Sequence, residues 1–213
     1  MTENCFMKYF LLCFFFCSFF SCNQEDKKQT TDDGSIKKDT LPAKIDINNP
    51  FASPDLSPMD MIYFPVDYPK LKMTKSISSG PKIRVIYSRP QKQGRKIFGE
   101  LLPYGKHWRL GANEATEIEF FEPVTIQDKK VNKGRYVLYC IPQEKTWTIV
   151  LNSNIDSWGL QQDPEKDIMR FEVPLEKLNT PIEYFTIAFE QTATGANLIM
   201  TWDDVLAKLP VSW

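Results

Sequence analysis

Ile83-Arg84-Val85-Ile86-Tyr87-Ser88 places bulky apolar side chains at 83, 85 and 87 and sets them against Arg84, Ile86 and Ser88. Successive side chains of an extended chain point to opposite faces, so this period of two marks a strand with one face on a core. The pattern repeats downstream. Ile118 and Phe120 alternate with Glu117 and Glu119, and Tyr136, Leu138 and Cys140 alternate with Val137, Tyr139 and Ile141. Runs at 147–152, 168–173, 182–190 and 197–202 read as further strands, with a last one at 205–211. Helical spacing is confined to Pro174-Leu175-Glu176-Lys177-Leu178 and to 164–167, each worth a single turn. The segment 128–134 reads as a polar hairpin and its flank, with solvated lysines. Short strands joined by turns such as Asn132-Lys133-Gly134 predict an all-β fold over 81–213, an antiparallel β-sandwich of jelly-roll or immunoglobulin-like type.

Working outward, 50–80 mixes Pro54, Pro58, Pro65 and Pro69 with Met59, Met61, Tyr63, Phe64 and Tyr68. Proline rules out a long helix there, which predicts an extended arm packed along the domain. Residues 22–49 are rich in Lys, Asp, Thr, Gln and Asn and poor in large apolar side chains. Such a composition cannot offset ordering entropy and predicts a disordered N-terminal tether with a reach of roughly 30 Å. Residues 1–21 hold Lys8, an apolar run over 9–21, and Ser21 directly before Cys22. That run fits a signal-peptide core and falls short of the ~20 residues that span a bilayer. It predicts a lipoprotein signal peptide, with translation starting at Met7 and Cys22 acylated by lipid, palmitate included, as the first mature residue. An uncleaved anchor helix is the alternative. The absence of Asp at position 23 and the acidic Gln24-Glu25-Asp26 point to the outer membrane, with the periplasmic and cell-surface faces both open; an ordinary polar tether explains the acidic residues equally well.

Four of the five cysteines precede or form the acylation site, which leaves Cys140 alone and no intrachain disulfide in the mature chain. Stability must come from a packed core. The formal net charge is -1, and removing the signal takes Lys8 and Glu3 together, so the basic excess of a nucleic-acid binder is missing. His107 is the single histidine. A nucleophile–base pair or a His-rich zinc site has little to build on, and no phosphate-cradling glycine loop or Gly-x-Ser-x-Gly elbow is present, so neither metal nor cofactor is implied.

What remains is 87–116, which gathers Arg89, Arg95, Tyr104, Arg109, Asn113 and Glu114 among glycines and prolines. Arg89 shares a strand face with Ile83, Val85 and Tyr87, so it falls at the rim of the core and needs a partner. Gly111-Ala112-Asn113-Glu114 is a turn able to supply one through Glu114. Two readings follow. The arginines and the carboxylate receive an anionic or sugar-like ligand, or they form an Arg–Glu pair that pins loops across a sheet edge, whose breakage would cost about 3–5 kcal/mol. Glu117 and Glu119 read as the wet face of a strand. Trp147, Trp158 and Trp202 read as core, with Trp158-Gly159 also open to a role as a sugar-stacking platform.

The motifs Tyr87-Ser88-Arg89-Pro90, Gly94-Arg95-Lys96-Ile97-Phe98-Gly99, Leu102-Pro103-Tyr104-Gly105, Trp108-Arg109 and Gly111-Ala112-Asn113-Glu114-Ala115-Thr116 resemble the domain of unknown function 2911 family. The resemblance continues through Gly134-Arg135-Tyr136, Ile141-Pro142, Trp147-Thr148, Trp158-Gly159 and Trp202. Ser57-Pro58-Met59-Asp60-Met61 and Tyr68-Pro69 resemble the arm of a lipoprotein-bearing Bacteroidetes subgroup. The resemblance implies a secreted or surface β-rich domain without an established activity. It maps the motif residues onto Arg89, Arg95, Tyr104, Trp108, Arg109, Asn113, Glu114 and Thr116. His107, and Lys92-Gln93 ahead of Gly94, depart from the pattern. The resulting expectation is a non-enzymatic envelope lipoprotein that binds a small ligand or an envelope protein at the rim around Arg89, Arg109 and Glu114. An envelope hydrolase with Glu114 as acid or base is the alternative, which a pocket beside Glu114 would favour. A third reading has the aromatic arm dock a partner.

Overall fold

The computed structural model describes residues 55–213. The signal segment 1–21, Cys22, the tether 22–49 and the start of the arm at 50–54 lie outside the described residues. Strands dominate what is described: β1 (Met59–Phe64), β2 (Ile83–Ser88), β3 (Thr116–Phe120), β4 (Val124–Ile126), β5 (Lys129–Val131), β6 (Gly134–Pro142), β7 (Thr146–Asn152), β8 (Asp167–Gln191) and β9 (Gly195–Ser212), with one short helix, α1 (Tyr68–Met73). They form a single sheet in the order β1-β2-β3-β6-β7-β8-β9-β4-β5, and every pairing of these strands is antiparallel.

The expected all-β antiparallel fold is present, and its facing layers are halves of that one sheet. β8 is the reason. A straight strand of 25 residues would run about 80 Å, longer than a domain of this size accommodates. β8 instead pairs with β7 through Asp167 to Pro174 and with β9 from Leu175 onward. Its register shifts between Lys177 and Ile182 and again between Ile182 and Thr186, and such irregularities bend a strand. The second half of β8 thereby faces β1 and β2 across the core. The Tyr87 hydroxyl donates to the Ile187 carbonyl at 3.1 Å, Phe185 meets the Tyr87 ring edge-on at 5.7 Å, and Phe64 lies 5.9 Å from Phe189. The alternation read from sequence builds this interior. Ile83, Val85, Ile118, Leu138, Ile149 and Phe171 are all buried.

Local expectations fare unevenly. Residues 164–166 form the single helical turn foreseen there. Pro174 to Leu178 do not: they lie within β8, because the chain changes partner at Pro174, where a residue without an N–H costs the ladder least. The runs 168–173 and 182–190 are one strand, and so are 197–202 and 205–211, which join in β9 through Asp203 in the left-handed region (φ 53°). β4 carries too short a run to announce itself. Within the expected arm, β1 pairs with β2 from Met59↔Ser88 to Phe64↔Ile83, and α1 follows with proline in its first turn.

On its outer side β6 is also covered. The buried Tyr139 hydroxyl donates to Asp167 at 2.9 Å, and Asn152 Nδ2 (2.8 Å) and Arg170 (2.7 Å) converge on the same carboxylate. Burial pushes the Tyr139 phenol above its ordinary range, with Asp167 adding to the effect, and pushes Tyr87 up to about 12. An unfolded tyrosine ionises near pH 10. Stability from a neutral Tyr87 is therefore complete below about pH 10 and is lost as pH rises through 12. We expect Tyr87→Phe to cost roughly 1 kcal/mol at pH 8, from the lost hydrogen bond, and to make the decline above pH 10 shallower. Urea unfolding of both proteins at pH 8 and pH 11 checks this.

Candidate functional site

The segment 89–115 crosses one end of the folded sheet and is tied down at Trp108. β3 stops pairing with β6 at Thr116↔Leu138, and Trp108 occupies the next equivalent place, opposite Cys140. Its N–H donates to the Cys140 carbonyl (2.7 Å), and the Cys140 N–H donates back (2.8 Å). The indole then sits in the core with 5 % exposure. It stacks on Trp202 at 5.9 Å and 23° and meets Phe98, Trp147 and Phe185 edge-on at 6.0, 5.5 and 4.9 Å. Such aromatic pairs each contribute about 0.5–1.5 kcal/mol beyond the area they bury. The return path needs Gly111, where a Cβ would stand 3.0 Å from the Ser88 carbonyl oxygen. Thr116 closes the loop by donating from Oγ1 to the Leu110 carbonyl at 2.6 Å.

Beside this hub lies a cavity of about 420 Å³, within the usual size of small-molecule sites. Arg95, Lys106, His107 and Arg109 line it, together with Trp108, Trp202, Leu101, Leu102 and Leu160, and no Asp or Glu belongs to the lining. Arg109 is partly buried, and its Nε is sealed from solvent without a hydrogen-bond partner. Burial pulls its guanidinium pKa below the ordinary value, with the Glu114 charge opposing. Gly159 holds the side chain from the other side: a Cβ there would overlap Arg109 Cδ and stand 2.8 Å from the Asn113 carbonyl oxygen.

The chain has six arginines. Arg84 pairs with Glu119 (2.5 Å), Arg89 with Asp60 (3.5 Å), Arg135 with Glu117 (3.1 Å) and Asp156 (2.5 Å), and Arg170 with Asp167 (2.7 Å). Among the described residues Arg95 and Arg109 have no carboxylate partner, and these two line the cavity. Arg95 spends hydrogen bonds on the carbonyls of Gln91 and Lys92 (2.9 Å to the latter) and stays exposed.

The expected residues thus separate. Arg95, Trp108 and Arg109 meet at the cavity. Arg89 lies elsewhere: its partner is Asp60 of β1 and not Glu114, it reaches Thr186 Oγ1 at 3.3 Å, and it lies over the Tyr184 ring. β1 pairs directly with β2, which brings Asp60 beside it. Asn113, in the left-handed region (φ 60°), donates to Asp55 at 3.1 Å. Tyr104 is exposed and packs over Gly99. Thr116 is buried, and Glu114 is exposed and absent from the lining.

Sequence reasoning missed Lys106, Gln162, Leu160 and Trp202 as cavity residues, and it read His107 as a surface histidine. His107 is exposed and its ring lies 5.0 Å from that of Tyr139. Lys92, a departure from the family pattern, forms an ion pair with the buried Asp203. Most of the lining falls within 90–112, the stretch open to reading, whereas Ser57, Leu160, Gln162 and Trp202 come from elsewhere in the chain.

A family model described as a protein of unknown function (DUF2911) matches residues 69–211. No curated protein and no solved structure matches the chain. The matched span runs from within α1 into β9 and contains the whole cavity lining apart from Ser57.

Since Arg109 makes no salt bridge and feels only the more distant charge of exposed Glu114, Arg109→Met should leave the unfolding free energy unchanged or raise it, and Glu114→Gln should leave it within about 0.5 kcal/mol. Arg89→Met should cost roughly 1 kcal/mol, the scale of a part-exposed ion pair. Denaturant unfolding of the three variants measures these differences.

Proposed function

The chain belongs to the DUF2911 family of proteins of unknown function, and we propose that it is a lipid-anchored envelope protein that binds an organic anion, without turnover, in the cavity beside Trp108. The observation that carries this is the charge of the lining. Arg95, Lys106 and Arg109 face one cavity whose lining holds no carboxylate, while the four remaining arginines have carboxylate partners. Holding the Arg109 guanidinium partly buried with no carboxylate in contact costs stability, and such a cost is retained where an anion recovers it. A carboxylate entering the cavity meets donors already in place, and little ordering is needed at the moment of binding.

The hydrolase reading draws no support from this geometry, because its acid–base residue, Glu114, is exposed and outside the lining. His107 touches the cavity without a carboxylate among the lining residues to orient it. The anchor rests on the lipoprotein signal and Cys22, and the acidic Gln24-Glu25-Asp26 supports placement at the outer membrane.

Two measurements test the proposal. Titration calorimetry of the mature chain, made soluble by Cys22→Ser, with octanoate should show one site. Arg109→Met should weaken it at least tenfold, about 1.4 kcal/mol, with Glu114→Gln unchanged; equal binding by Arg109→Met would return the cavity to mere packing. In cells, labelled palmitate should enter the wild-type protein and not Cys22→Ser, and label persisting in that variant would remove the anchor.

A further inference from the structure

The cavity is selective in what it offers besides charge. Both of its indoles have already committed their N–H groups: Trp108 Nε1 donates to the Gly111 carbonyl at 3.3 Å and Trp202 Nε1 to the Glu183 carbonyl at 3.1 Å. They present carbon surface to an occupant and no donor. Gln162, the one amide side chain in the lining, spends its N–H on the Gly159 carbonyl, so that its amide oxygen, the Ser57 hydroxyl and the His107 ring are the only side-chain acceptors that line the space. The cations carry no acceptors, and no carboxylate lines the space. A polyhydroxylated ligand brings many hydroxyl donors, each of which loses water on entry and needs an acceptor. This lining has few to give.

Apolar side chains continue from the floor to the mouth. Leu101 and Leu160 belong to the lining and yet are 42 % and 61 % exposed, so apolar surface faces solvent there. Trp158, 53 % exposed, stands two residues before Leu160 on the loop whose Gly159 packs on Arg109. Exposed carbon beside a cationic pocket is where burial by a ligand adds most.

We infer that the ligand is an amphipathic anion, with a single carboxylate-like head at Arg109, Arg95 and Lys106 and an unsubstituted apolar body lying on Trp108 and Trp202 and leaving past Leu101 and Leu160. This rests on the anion-binding reading above and narrows it: a fatty or aryl acid is taken, and a sugar acid or inorganic phosphate is not.

The mature Cys22→Ser chain is titrated with octanoate, acetate, gluconate, phosphate and octanol, with tryptophan fluorescence as the second readout. Octanoate should bind at least about 100-fold more tightly than acetate or gluconate, since each buried methylene adds about 0.8 kcal/mol. It should also displace the others and perturb the indole emission. Leu160→Ser should weaken octanoate roughly fivefold with an unchanged unfolding curve, as its side chain is exposed. Gluconate or phosphate binding as tightly as octanoate would overturn the apolar body and leave the anion site standing. Octanol binding as tightly as octanoate would overturn the anion site itself, and no binding by any of the five would overturn both.

Discussion

Two backbone hydrogen bonds between Trp108 and Cys140 carry more of this molecule than their number implies. They extend the β3 edge of the ladder by one residue from a distant loop and commit that residue to the inner face. Once there, the Trp108 indole stacks on Trp202 of β9 and meets Trp147 of β7 and Phe185 of β8. One side chain thus joins both halves of the bent sheet. The cavity lies beside this anchor, lined by residues on either side of Trp108 in the chain.

Bending of β8 supplies the other half of the frame. A sheet with free edges leaves one face wet or finds a second sheet to cover it. Here the second half of β8 turns far enough to become the cover for β1 and β2, and the Tyr87–Ile187 hydrogen bond and the Phe64–Phe189 contact close the interior. A continuous strand makes the corner without a loop, so its backbone groups stay paired on both sides of the bend except at the register shifts.

Four of the six arginines take carboxylate partners. Arg84, Glu119, Arg135 and Glu117 interlock on the outer face of β2, β3 and β6, where the strand register sets them opposite one another. Arg89 ties β1 to the sheet, and Lys92 reaches Asp203. Among the described residues Arg95 and Arg109 lack such a partner, and Arg109 under Gly159 also keeps its Nε buried without a hydrogen bond. Holding a cation there costs stability.

Period-two alternation was legible along β2 and β3, which bury one face and leave most of the other half-exposed, while β6 and β7 read as strands although both of their faces are largely buried. Legibility failed where pairing, not pattern, decides: Pro174 to Leu178 have helical spacing but lie between ladders with β7 and β9, and β4 is only three residues long. At the site, the sequence by itself determined which residue types gather in 87–116 and that they are cationic, aromatic and glycine-rich. Only the tertiary structure decided their partners. Asp60 took Arg89 because β1 lies beside β2, Glu114 was left in solvent, and Trp202 and Leu160 came to the cavity from elsewhere in the chain. Partner choice depends on distances that strand order and the bend of β8 create, and neither is encoded in local spacing.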